Sequence, residues 1–206
     1  MNRLSVLATA LLLCVSFPLF ADLSIRSDRW QSVFAEGQER TRLSGNARVS
    51  SDRIVVEADE IELSGDSFRF VRASGNLLVI DLDRDLRLTG NRLFVDRDLD
   101  IIRVEGNAEM EDRENEIIVR GGFIEYFGEQ ELTIIQVGVR ILRSDLLARA
   151  EFARYLRGTS TLELSGLPQV SRNGDEFRAG RIIINLDSDE ITLRGEVRAI
   201  VRDGED

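Results

Sequence analysis

The side chains that do most enzyme chemistry are missing from this chain. It has no histidine and no lysine, and Cys14 is its only cysteine. A Ser-His-Asp triad, a Schiff-base lysine and the usual zinc site are therefore beyond it. What remains is hydroxyls, two tyrosines, 37 acidic residues and 27 basic residues, all arginine. Paired carboxylates can hydrolyse glycosides, yet nothing sets two of the 37 apart, and most sit where strands turn or face water. Asp81, Asp83 and Asp85, Asp96, Asp98 and Asp100, and Asp187 and Asp189 cluster as calcium ligands would. They lack the glycine and distal glutamate of a calcium loop and read as solvated turns. Arg42, Arg48, Arg72 and Arg103 flank glycine-containing octets, where they can contact phosphate or, more commonly, pair with acids on the next strand. The chain is expected to be no enzyme and to need neither metal nor cofactor. Its net charge of −10 argues against nucleic acid or an anionic membrane surface as partner.

The elements that position these residues are written as a repeat. RLSGNARV at 42–49, RASGNLLV at 72–79 and RVEGNAEM at 103–110 are three of six related octets, continued by IIQVGVRI, ELSGLPQV and TLRGEVRA. Their reference residues are Gly45, Gly75, Gly106, Val137, Gly166 and Gly195, spaced by about 30 residues, as in a chain built from one supersecondary unit. A second motif interleaves: ADEIEL, GNRLFV, GGFIEY, AEFARY and AGRIII. Alternating apolar residues make both motifs strands with one buried face. In the octets the alternation runs straight through, which places the glycine on the inward face, where the inner surface is narrow. In the second motif it switches parity, from Ile54, Val56 and Ala58 to Ile61 and Leu63, so that motif is expected to carry a β-bulge or corner after its small residue. Polar Asp, Asn and Gly turns separate the motifs. The pattern gives eleven or twelve long, bent antiparallel strands and one weak helical candidate, Asp145 to Tyr155.

Residues 1–21 have the layout of a secretory signal peptide: Arg3, an apolar run from Leu4 to Phe20, then Ala21 and Asp22. Cleavage after Ala21 discards Cys14 and leaves residues 22–206 as one domain without disulfides, held by its core and delivered to the periplasm. The alternative is an uncleaved anchor, because the apolar run approaches the length of a membrane span.

The stretch SIRSDRW…RLSGNARV…IVVEADEIEL resembles the periplasmic lipopolysaccharide-transport family called LptA or OstA-like. Ile25, Ser27, Asp28, Leu43, Gly45, Asn46, Val49, Ala58, Asp59, Ile61 and Leu63 carry the match, and later copies extend it to Ala199. It departs from that pattern at Val137 and in lacking lysine. The resemblance implies an all-β, twisted open β-jellyroll, a V-shaped stack of antiparallel strands whose apolar interior shields the acyl chains of lipopolysaccharide. It also implies end-to-end pairing of open strand edges with homologous transport-bridge proteins at the inner and outer membranes, or head-to-tail with copies of itself. The N-terminal edge is expected near Leu23 to Val33 and the C-terminal edge near Ile191 to Val201.

The expected lipid-binding residues are the inward ones: Val49, Ile61, Leu63, Leu77, Val79, Leu93, Val95, Met110, Ile124, Tyr126, Ile141, Ile182 and Ile184, with Ala47, Ala108, Val139 and Val197 on the same face. The same positions would serve equally as a packed core. Two other functions fit the pattern: an envelope assembly scaffold with a dry core that works by edge-strand pairing, and a membrane-anchored homologue resembling LptC that keeps its first segment.

Overall fold

The structure, a computed structural model, describes residues 23–202 apart from 34, 36–38 and 115. The expected leader, its cleavage point and Cys14 lie outside the described residues. Among the described residues sixteen strands form one antiparallel sheet: β1 (Ser24–Arg26), β2 (Arg29–Val33), β3 (Arg40–Ser50), β4 (Ile54–Ser64), β5 (Phe70–Asp81), β6 (Leu86–Asp96), β7 (Ile101–Asp112), β8 (Ile117–Phe127), β9 (Leu132–Arg143), β10 (Leu146–Leu156), β11 (Thr161–Ser165), β12 (Gln169–Arg172), β13 (Asp175–Arg178), β14 (Arg181–Asn185), β15 (Ile191–Arg194) and β16 (Arg198–Ile200). Four pairs of short strands are halves of one bent strand, because both members pair with the same bent partner: β1 and β2 with β3, β11 and β12 with β10. β13 with β14, and β15 with β16, continue the pattern. Twelve bent strands result, each paired with the next in sequence, as the repeat demands.

Every strand bends at the same height, which divides the sheet into two leaves. Leaf A holds the strand portions near Leu43, Ile61, Leu93 and Ile124, and leaf B those near Val49, Val56, Val79 and Val119. The inner faces of both leaves belong to one apolar core. The architecture is the expected all-β, twisted open jellyroll, with the two leaves curled toward each other. No α-helix occurs among the described residues: the helical candidate at Asp145 to Tyr155 is the turn residue Asp145 followed by β10.

The corner differs in detail from its sequence pattern. The register slips at each corner, and the additional residue lies in the octet strand: Gly45 and Asn46 stand against Asp59 alone, and Gly75 and Asn76 against Asn91 alone. Both octet residues are left-handed, with φ 76° and 46° at Gly45 and Asn46 and the same at Gly75 and Asn76. The second motif does switch its inward parity, from Ala58 to Ile61, but only because it is the shorter side of the bulge. The glycine does not face the core either. A Cβ on Gly75 would run into the exposed Asp59 side chain on the neighbouring strand, with Asp59 Cβ only 2.9 Å away.

That approach recurs as a pairing rule. Asp28 covers Gly45, Asp59 covers Gly75, Asn91 covers Gly106 and Glu151 covers Gly166, while Gly180 meets Gly195. At the fourth corner the partners are exchanged: Val137 takes the octet position at φ 66°, and the residue beneath it is Gly122. Asn46 Nδ2 donates to Asp28 Oδ2 at 2.8 Å, and Asn76 Nδ2 donates to both carboxylate oxygens of Asp59 at 3.0 Å, so the carboxylates above Gly45 and Gly75 are also hydrogen-bonded.

The acidic turns close the free ends of the leaves. Asp81 Oδ1 accepts the backbone N–H groups of Asp83 and Arg84, and Asp96 Oδ1 those of Asp98 and Leu99, as turn-stabilising carboxylates do. Arg69 donates to both oxygens of Asp96, from Nε at 2.9 Å and Nη2 at 2.7 Å, and holds that carboxyl below the usual carboxylate range. Its native charge therefore stabilises the fold above the unfolded value near 3.9, and this contribution is lost as pH falls through the lower native value. Urea unfolding at pH 7 and pH 3 is expected to show Asp96→Asn less stable than the wild type at pH 7, with the gap shrinking at pH 3.

Candidate functional site

The interior where the leaves meet collects most of the residues singled out by the sequence. Ile61, Ile182 and Ile184 are sealed, and Leu63, Leu77, Val79, Leu93, Ile124 and Ile141 are nearly so; Val49 is buried at its margin. Val95, Met110 and Tyr126 are half-buried, and Val95 and Met110 pack against this cluster. Ala47, Ala108 and Val139 are buried as expected, but Val197 is 53 % exposed. It sits beyond β15, at the last corner, where no further strand covers it among the described residues.

Three apolar spaces run along this interior. The first, about 100 Å³, lies between Val49, Val56 and Val79 of leaf B and Leu63, Leu93 and Val95 of leaf A. The second, about 60 Å³, shares Ile54, Val79 and Ile102 with the first and adds Met110, Ile124 and Tyr126. The third, about 30 Å³, shares Met110, Thr133 and Tyr155 with the second and reaches Ile141 and Leu186. They form a connected seam of loose packing down the axis of the stack. Burial raises the Tyr126 and Tyr155 phenols above their ordinary range, so both remain neutral at physiological pH and present an apolar ring to this space. Each space is far smaller than a fatty chain. Occupancy therefore needs the leaves to part.

The line along which they would part is marked by polar contacts between leaf tips. Arg84, in the turn after β5, lies 5.5 Å from the centre of the Tyr126 ring on leaf A. Glu114 and Arg157 meet at 3.7 Å, Arg143 Nη1 donates to the Leu186 carbonyl at 3.3 Å, and Arg172 Nη2 lies 2.7 Å from Asp189 Oδ1. Each of these joins a leaf B tip to a leaf A tip. Sequence reasoning missed this row of arginines, because each sits beside an acidic turn and reads alone as part of a solvated turn.

The other candidates come apart. Arg42 and Arg72 converge on Glu62, Arg48 pairs with Glu57 and Arg103 with Glu125, all on the outer faces, so the arginines beside the octets have cross-strand acids as partners. Phe94 lies beneath Arg72 and Arg103, at 5.4 and 5.7 Å from its ring centre. Among the described residues no three acidic side chains gather into a metal site. The terminal strands fall where expected: β1 and β2 border one end of the sheet and β15 and β16 the other, with Trp30 and Ile200 exposed on them.

The chain is thus a corner-bent β-jellyroll around a loosely packed apolar axis. No protein-family model matches it, and no curated protein does. Among solved structures it is similar to the crystal structure of LptH, the LptA homologous periplasmic component of the conserved lipopolysaccharide transport device from Pseudomonas aeruginosa. The two are 10 % identical over 88 % of this chain and 96 % of that one, with a TM-score of 0.27, too loose a superposition to carry an argument.

Proposed function

We propose that this protein is a periplasmic carrier that shields the acyl chains of lipopolysaccharide, or of a similar envelope amphiphile, between the inner and outer membranes, and that it performs no catalysis. The observation that carries this reading is the connected line of apolar spaces, bordered along one side by polar contacts between leaf tips. Acyl chains would enter between the leaves, while a charged head group stays at the seam beside Arg84, Arg143, Arg157 and Arg172. The motif resemblance supports the same cargo. Homologous bridge proteins, or further copies of the chain, would extend the sheet at β1–β2 and at β15–β16, whose outer edges are unpaired among the described residues.

Native mass spectrometry with lipid extraction, on protein recovered from its envelope destination, tests the carrier. A bound amphiphile is expected; protein that carries none and takes up none when offered lipopolysaccharide overturns the reading. A second reading has its own observation: most of the expected lipid-binding residues are buried, as in a dry core. That favours a scaffold acting through its edges alone. End-to-end association is expected to fall on Ile200→Pro, because proline in an edge strand removes a backbone donor and stiffens the chain. Sedimentation of the wild type and variant measures it.

A further inference from the structure

The outer face of leaf A, turned away from the lumen, is more apolar than a solvated sheet face. Ile101, Phe127, Leu132 and Leu156 are successive cross-strand neighbours in the row nearest the tips, and Phe123 and Phe152 flank Gln136 in the row nearest the corner. All six are only half-buried. Between these rows runs a third: Arg103, Glu125, Ile134, Arg154 and Glu163 on β7 to β11.

Reversed about Ile134, the middle row is its own complement. Arg154 falls on Glu125, and Glu163 falls on Arg103. The same reversal sets Phe152 on Phe123 and Leu156 on Phe127, and sets Leu132 and Gln136 on their own copies. A two-fold axis lying in the interface along β9 performs this reversal. Arg154 is exposed and makes no ion pair among the described residues, whereas Arg103, Glu125 and Glu163 each have a partner within the chain. In the row nearest the corner the match ends three strands from the axis, where Arg92 would meet Arg181.

We propose that the outer face of leaf A docks onto a second copy of itself, with Arg154 of each copy pairing with Glu125 of the other. The roughly 30° rotation between stacked sheets displaces a side chain two strands from the axis by about 5 Å, within an arginine's reach. Five strands at about 4.8 Å spacing and half a strand's length cover roughly 400 Å² per copy. That is the size of a transient contact, so the dimer forms reversibly and at high local concentration. The face is separate from both sheet edges and from the lumen, so docking leaves the ends of the stack and any cargo untouched and does not depend on the carrier reading.

Sedimentation equilibrium over a wide concentration range tests this with the wild type, Arg154→Glu, Glu125→Arg and Ile200→Pro, each checked for native circular dichroism. The wild type is expected to form a dimer. Each charge variant alone is expected to weaken it by at least about tenfold, because the two-fold axis duplicates every like-charge contact. An equimolar mixture of the two charge variants restores it. In the mixed dimer the two substituted side chains face each other with opposite charge, and the native Glu125 of one copy faces the native Arg154 of the other. Ile200→Pro leaves this dimer intact. A monomer at every concentration, a dimer indifferent to Arg154→Glu, or a mixture that fails to restore association would each overturn the proposal.

Discussion

Gly75→Val is expected to destabilise the protein by roughly 3 kcal/mol, and adding Asp59→Gly to recover about half of that loss. Two costs meet at this corner. The first is backbone: φ is 76°, where an L side chain costs about 1–2 kcal/mol and a β-branched one is a true outlier. The second is space, since the new side chain would occupy the volume of Asp59. Removing Asp59 relieves only the second cost and gives up the Asn76 hydrogen bonds, so the rescue is partial. The fourth corner already carries this exchange in the native sequence, with Val137 above Gly122. The complementary change follows: Val137→Gly is expected to stabilise by about 1 kcal/mol, because the 66 % exposed side chain gives up little burial while the left-handed strain disappears. For a domain of this size, 1 kcal/mol corresponds to about 2–4 °C in Tm. Thermal unfolding therefore separates all three variants. A Gly75→Val protein as stable as the wild type would show that the corner does not require glycine.

The strand count, the two terminal edges and nearly all of the inward face could be read from the sequence because each rests on period-two alternation within one strand. What failed needed knowledge of the strand opposite. Parity within 54–63 reveals that the inward face jumps from Ala58 to Ile61, but not whether that strand has gained a residue or its partner has. Only the register, Ala47 opposite Ala58 and Leu43 opposite Ile61, places the bulge at Gly45 and Asn46. The same jump produced the false helix. Leu146, Ala150 and Ala153 are all buried, and their spacing is that of one helical face, although Ala148 between them is buried too and the backbone is extended throughout. The seam was illegible for a related reason: Arg157 and Glu114, or Arg172 and Asp189, become neighbours only when the leaves fold over each other.

The expected lipid-binding residues do not all stand in the same relation to a cargo, and charge substitution separates them. Ile61→Arg and Leu93→Arg, the obvious ways to block a groove, are expected to unfold the protein. At 0 % and 3 % exposure, with apolar neighbours on both leaves, a guanidinium has neither water nor a counter-ion, and the loss should exceed about 4 kcal/mol. Met110→Arg should behave differently. Met110 is half-buried, lines both the second and third spaces, and lies two residues from Asp112 at the leaf tip, so a longer side chain can run along the lumen wall and leave its charge at the seam. The expected result is a cooperative urea transition within about 1.5 kcal/mol of the wild type and a loss of bound amphiphile of about tenfold or more, because a charged stem occupies the path between two spaces. Val95→Arg at the first space is the parallel test, since Val95 is also half-buried. If both variants fold and carry as much lipid as the wild type, the cargo does not lie between the leaves, and the apolar axis is packing alone. If they fold and carry none while a conservative Met110→Leu carries the normal amount, the half-buried residues line the path and the sealed ones hold its walls.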